Sequence, residues 1–165
     1  MADRATNLAT VRRVREELTT LLDGMDYCLD WKDASGSDAD PWCAREVLYH
    51  LVDTPEGGIG SVIAGVLNGN LEEVTILPDI SNMTPDRLAA EIDDALAGPL
   101  AILQTAEDAI ANAGDGDFEE RTAMAHLPHR EIHEPRTAQS FIDGLERHWG
   151  EHLNQLRAIR DALGM

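Results

Sequence analysis

Apolar residues recur along most of the chain at steps of three and four, the period of an α-helix. The first such series predicts one amphipathic helix and consists of Leu8, Val11, Leu18, Leu22, Met25 and Leu29. A polar linker occupies Asp30 to Asp40. Asp40-Pro41 then predicts the start of a second helix, because Asp is a good N-cap and Pro suits the first helical position. Pro55 and the Gly57-Gly58 pair end this helix.

The second half of the chain continues the same pattern. Ser61 to Leu67 predicts a short helix. Thr84-Pro85 predicts the start of a longer one, with one face formed by Leu88, Ile92, Leu96, Leu103 and Ile110. Gly98-Pro99 falls inside it and predicts a kink there, with a full break as the alternative. The stretch from Asn112 to Arg136 contains two glycines and two prolines and is expected to be a long loop. Thr137 then caps a last helix that extends to about Leu163.

Strand-like alternation is almost missing from this pattern. Only Val74 to Leu77 shows a trace of it. Four long amphipathic helices without strands predict an all-α fold, an antiparallel four-helix bundle with long connections. The 165 residues are expected to form a single domain, residues 1–165.

The net charge of −18 is the outlying feature of the composition. So acidic a surface repels phosphate backbones and anionic lipids, so we expect neither a nucleic-acid nor a membrane partner. The apolar stretch Ile59 to Leu67 is too short to span a bilayer, and no hydrophobic segment follows the first residues as in a secretory signal. Cys28 and Cys43 lack the spacing of a metal motif. Together these features predict a cytoplasmic protein.

His148 and His152 are the residues that bear most directly on function. They lie four residues apart, and therefore on one helix face, within an apolar series formed by Phe141, Leu145, His148, His152, Leu156, Ile159 and Leu163. Two imidazoles buried among apolar groups each need a polar partner. A metal ion would supply both partners, and hydrogen bonds within the core are the alternative.

The other four histidines give weaker signals. His50 lies along one edge of the apolar arc of the second helix and could face inward. His126, His129 and His133 fall in the predicted loop, where Pro128 prevents a regular helix from aligning them. These three could bind a metal or act as acid–base groups near neutral pH. We expect them to be pocket or outer-shell residues at most.

Two segments resemble the DinB-like (DinB/YfiT) superfamily of metalloenzymes. The first is Trp42-Cys-Ala-Arg-Glu-Val-Leu-Tyr-His50-Leu51, which is similar to that family's W-x3-E-x-L-x-H-L signature. The second is the Thr137-led segment with His148-x3-His152-Leu153, which is similar to the family's closing helix. The two motifs match in order and separation, so the resemblance spans nearly the whole chain.

The resemblance implies a four-helix bundle in which His50, His148 and His152 hold a divalent metal ion. Three imidazoles with open positions suit zinc, nickel, iron or copper. Family members of known activity include thiol-dependent transferases and a mycothiol-dependent maleylpyruvate isomerase, and association into a homodimer is plausible for this class. Cys43 departs from the pattern, because the family often has Ser or Thr at that position.

Three functions remain open from the sequence. The first is a metal-dependent transferase that uses a low-molecular-weight thiol cosubstrate on an electrophilic small molecule. The second is metal-assisted hydrolysis with no thiol, and the third is a non-catalytic metal-binding or interaction bundle. In the enzyme readings, Asp53 could orient a ligand or water one turn beyond His50, and Cys43 could be a thiol near the site.

Overall fold

The computed structural model describes residues 3–36, 40–78 and 82–165. Within them lie seven helices: α1 (Arg4–Leu22), α2 (Ala44–Asp53), α3 (Ile59–Leu67), α4 (Pro85–Ala89), α5 (Ile92–Asn112), α6 (Asp117–Glu120) and α7 (Ala138–Leu163). Three strands complete the described fold: β1 (Glu73–Thr75), β2 (Thr122–Leu127) and β3 (Ile132–Thr137). None of the helices in these three ranges combines the length and the apolar character needed to cross a bilayer.

The predicted all-α four-helix bundle is wrong, because the helices share the fold with a mixed three-stranded sheet. Strand β2 lies in the middle, parallel to β1 and antiparallel to β3. Strands β2 and β3 form a hairpin in the region expected to be a long loop, Asn112 to Arg136, and β3 extends one residue beyond it. Of the strands, only β1 overlaps the alternation noted at Val74 to Leu77.

The hairpin escaped prediction because its inward residues are small. In β2 the buried positions alternate and are Ala123, Ala125 and Leu127. Alanine contributes little to a hydrophobic pattern, and Met124, the most apolar residue of the outward set, is partly exposed. Burial therefore alternates along β2 with the period of two of a strand, but the hydrophobicity of its residues alternates only weakly.

The helices pack around one apolar core. Helix α1 contacts α5 and α7, and α2 and α3 contact the same two helices. The largest fully buried side chains lie between them, and they include Leu18, Leu48, Ile63, Leu103 and Trp149. The sheet lies beside α3 and α7. This arrangement places α2 against α7, and those two helices carry His50 and the His148–His152 pair.

Several helix ends differ from the expected ones. Helix α1 ends at Leu22 instead of continuing to Leu29. Helix α2 begins at Ala44 with Cys43, not Asp40, as its N-cap, and the backbone N–H of Cys43 donates to Glu46 Oε2 over 2.9 Å. The helix expected from Thr84 onward breaks between α4 and α5, and α5 continues through Pro99.

Helix α7 has the predicted ends. Thr137 is its N-cap and accepts from Ser140 N, while Gly164 ends it at a φ of 73°. That left-handed conformation costs glycine little and other residues more. The ends fix the register of the helix, and with it the positions of His148 and His152.

Helices α3 and α5 approach each other closely at Gly60. An added Cβ at this position would lie 2.1 Å from the backbone oxygen of Ile102 in α5. Only a residue without a side chain permits this contact. Ile59, next to Gly60, lines the cavity described below, so the contact also positions part of its wall.

Candidate metal centre

Three histidines from two helices bring their Nε2 atoms together. His50 comes from α2, and His148 and His152 come from successive turns of α7. The Nε2 atom of His148 lies 3.1 Å from that of His50 and 3.1 Å from that of His152. One ligand atom from each of the three lies within 4.8 Å of the others. These three histidines form a group that could hold a metal ion.

The nitrogen spacing fits a single ion. Imidazole nitrogens bind zinc at about 2.0–2.1 Å, so two that occupy neighbouring positions around it lie about 3 Å apart. The two measured separations agree with this value. His50 is buried, whereas His148 and His152 are half-buried. The group therefore lies at the boundary between the core and solvent.

Two further side chains hold the rings so that Nε2 points into the group. Gln155 Oε1 accepts a hydrogen bond from Nδ1 of His152 over 2.9 Å, which places the proton of that ring on Nδ1 and its lone pair on Nε2. The Thr54 hydroxyl lies 3.3 Å from Nδ1 of His50 and can accept from it in the same way. Metal-binding histidines usually have such a partner on the second nitrogen, because it fixes the tautomer and the ring orientation.

Trp42 packs against two of the three rings. Its ring is nearly parallel to that of His152, with an angle of 3° and centroids 5.9 Å apart. It also meets His50 edge-on at 4.8 Å. The indole thus covers one side of the group with apolar surface and limits how far either imidazole can rotate.

The environment keeps His148 neutral. Burial lowers the pKa of His148 to about 4, with further lowering by the neighbouring His152, His50 and Arg147. Its ordinary value is near 6.5. A neutral imidazole is the form that binds a metal, so near pH 7 no proton has to leave His148 before it can bind one.

The histidine group opens into a cavity of about 1080 Å³. All three histidines line it, and so do residues of the sheet and of α7. Its charged lining is mixed and consists of Arg130, Glu134, Arg136, Asp143, Arg147 and Glu151. The apolar lining includes Ile59, Leu127 and Phe141. A polar small molecule can therefore reach the histidines from one side.

Neither Asp53 nor Cys43 lines the cavity, and each makes its contacts elsewhere in the fold. The Asp53 carboxylate accepts from Arg87 Nη1 over 2.6 Å and from Nη2 over 3.0 Å, and also from the backbone N–H of Asn82. Burial raises the pKa of Asp53, but these hydrogen bonds and the Arg87 charge outweigh it, so the pKa is lowered overall. Cys43 is buried at the start of α2, and that burial raises the pKa of its thiol.

The three histidines of the hairpin separate into two groups. His129, in the turn Pro128–Arg130, lines the cavity. His126 and His133 are Cα partners on β2 and β3. Side chains alternate across a strand, so His126 points to the face opposite Ala125 and Leu127, away from the cavity. Of the three, His129 alone lines the cavity, whereas all three had been expected to be pocket or outer-shell residues at most.

Comparison with known proteins adds no relative. A scan of protein-family models finds no match, and neither the curated proteins nor the solved structures include a significant match to this chain.

Sequence reasoning missed the residues that hold the histidine rings. Thr54 follows His50 by four residues and Gln155 follows His152 by three, and both spacings place a side chain on the same helix face. That spacing was a usable signal. The cavity wall had no such signal, because the hairpin that supplies Arg130, Glu134 and Arg136 was not predicted.

Proposed function

We propose that this protein is a metal-dependent transferase of the DinB-like kind, which joins a low-molecular-weight thiol to an electrophilic small molecule. The proposal rests mainly on the convergence of three histidines on the wall of a cavity of about 1080 Å³, where the Nε2 atom of His148 lies 3.1 Å from those of both His50 and His152. The metal would be a divalent ion such as zinc, nickel or iron, all of which suit imidazole ligands.

The number of ligands supports a catalytic role over a structural one. Structural zinc sites are closed by four protein ligands, whereas catalytic sites have three and leave a position open. Among the described residues, no further His, Cys, Asp or Glu joins the group of His50, His148 and His152. The open side faces the cavity, where a substrate can enter.

His50, His148 and His152 would hold the divalent ion, and the chemistry it would supply is a lowered pKa of a bound thiol or water, and with it a nucleophile at neutral pH. The chain's own residues do the rest. Gln155 and Thr54 orient the rings, and Trp42 excludes water from one side. Arg130 and Arg147 on the cavity lining can bind an anionic part of either substrate.

Elemental analysis tests the metal site first. The purified chain should contain about one tightly held metal ion, and His148→Ala and His152→Ala should lose it. His129→Ala removes an imidazole from the cavity lining but none from the group, so it should retain that ion. Unchanged metal content in the His148 and His152 variants would refute the site.

Activity then separates the transferase from its rivals. Electrophiles such as aryl halides and α,β-unsaturated acids are incubated with the metal-loaded chain, with and without a low-molecular-weight thiol, and both thiol and electrophile are followed. The transferase consumes the two in equal amounts. Consumption of the electrophile without thiol would instead favour hydrolysis. A metal-loaded chain inactive with and without thiol would favour the non-catalytic reading.

A further inference from the structure

A second pair of histidines lies on the outer face of the sheet, away from the cavity. His126 on β2 and His133 on β3 are Cα partners across the antiparallel hairpin. Their Nδ1 atoms are 2.8 Å apart. His126 is half-buried and His133 is exposed, so solvent reaches the pair. None of the geometry of the first histidine group involves these two residues.

The strand register explains why the two rings come so close. The carbonyl of His126 accepts from Ile76 N over 2.8 Å, so the backbone of His126 is directed toward β1 and away from β3. His126 and His133 are therefore a pair that exchanges no backbone hydrogen bond. In such pairs the Cα atoms are about 4.5 Å apart, closer than in hydrogen-bonded pairs, and the side chains meet.

The carboxylate of Glu73, on strand β1, sets the tautomer of His126. Glu73 Oε2 on β1 lies 3.3 Å from His126 Nε2, which donates to it. Because the proton of the neutral His126 ring is then on Nε2, its Nδ1 atom carries a lone pair, and that lone pair is directed at His133. A carboxylate that accepts from the far nitrogen of a histidine is a frequent partner of metal-bound imidazole, because it orients the ring and raises its basicity.

We propose that His126 and His133 form a second site for a divalent transition-metal ion, with Glu73 as the hydrogen-bond partner that orients His126. Two nitrogens bound to one ion lie about 3 Å apart, and the Nδ1 atoms reach this spacing with a shift of a few tenths of an ångström. The ligand class is an ion that favours imidazole, such as Ni²⁺, Cu²⁺ or Zn²⁺. The net charge of −18 raises the local concentration of cations.

This second site differs from the first in strength and access. It has two protein ligands instead of three, and water fills the remaining positions because the pair is on the surface. The ion should therefore bind more weakly than at His50, His148 and His152, and should exchange with solvent. The proposal does not depend on the activity of the cavity.

Equilibrium dialysis against Ni²⁺ tests the pair. The unmodified chain should bind two equivalents, one tight and one weaker. His126→Ala and His133→Ala should each lose the weaker equivalent and keep the tight one. His129→Ala, in the turn of the same hairpin, is the matched control and should keep both. Glu73→Gln should keep both, with the weaker dissociation constant raised about 10- to 100-fold.

A chain with both His148→Ala and His152→Ala separates this result from the proposed function. It should retain the weaker equivalent, and Cu²⁺ bound to it should show electron-spin-resonance splitting from two imidazole nitrogens. No Ni²⁺ bound by the chain with both His148→Ala and His152→Ala would overturn the second site, and so would His126→Ala and His133→Ala chains that bind as many equivalents as the unmodified chain. Thermal melts of each variant confirm that it is folded.

Discussion

Gly60→Ala should destabilise the folded chain by about 3 kcal/mol, the upper part of the range for overpacked cores. The added Cβ would lie 2.1 Å from the backbone oxygen of Ile102, and real Cβ contacts essentially never fall below 3.0 Å. A side chain could rotate out of the way, but a backbone oxygen within α5 cannot. Helices α3 and α5 must therefore separate by about 1 Å, and a gap of that size loses up to about half of the dispersion energy of the atoms it parts.

Gly150→Ala is the matched control for this change. Gly150 is inside helix α7, and an added Cβ there meets no atom within 4 Å. Alanine is favoured over glycine in a helix interior by about 1 kcal/mol, so this variant should be more stable than the unmodified chain. The same chemical change thus has opposite signs at the two positions, and the difference comes from the space available.

Thermal melts and urea unfolding measure both effects. For a chain of this length, 1 kcal/mol corresponds to about 2–4 °C in Tm. The melting temperature should therefore fall by about 6–12 °C for Gly60→Ala and rise by about 2–4 °C for Gly150→Ala. If Gly60→Ala melts within about 2 °C of the unmodified chain, the close contact of α3 and α5 is refuted.

Two further predictions concern the histidine group. Gln155→Leu retains the size of the side chain and removes the hydrogen-bond acceptor for His152. Metal affinity, measured by competition with a chelator, should therefore fall about 10- to 100-fold. Unchanged affinity would show that Gln155 does not orient the ring. The folded pKa of His148 is about 4 and its unfolded value is about 6.5, so between these pH values the unfolded chain binds a proton that the folded chain does not. Stability of the metal-free chain should therefore fall as the pH is lowered through this range, and His148→Gln should reduce that fall in urea midpoints; an equal fall in both chains would contradict the lowered pKa.

The sequence predicted the last helix well because several signals agreed there. Thr137, the apolar series from Phe141 to Leu163 and Gly164 each indicated the same element, and the structure has it from Ala138 to Leu163. The centre of the buried face of this helix differs from the one that the spacing predicts. Trp149 and Leu153 are buried, and His148 and His152 lie at the edge of that face, toward the cavity. Spacing alone gives a helix face to within a residue, which does not distinguish core from cavity wall.

The sheet could not be predicted because its strands depend on one another. Strand β1 is three residues long, and the inward side of β2 is mostly alanine. Neither segment buries enough apolar surface to form alone, and both are completed by long-range pairing. Proline at position 135 also argued against a strand. It is tolerated because β3 is at the edge of the sheet and Pro135 lies opposite Met124, in the set of pairs that exchange no backbone hydrogen bonds.

The packing of Trp42 on the histidine rings gives the protein a built-in optical probe. The indole is 4.8 Å from the ring of His50 and 5.9 Å from that of His152, measured between centroids. A paramagnetic ion among those histidines would lie close enough to quench the emission of this tryptophan, whereas a diamagnetic ion would alter it only through the local field. Trp31 and Trp149 also emit, so the part of the emission that is lost in Trp42→Phe can report which kind of ion occupies the site and how fast it leaves.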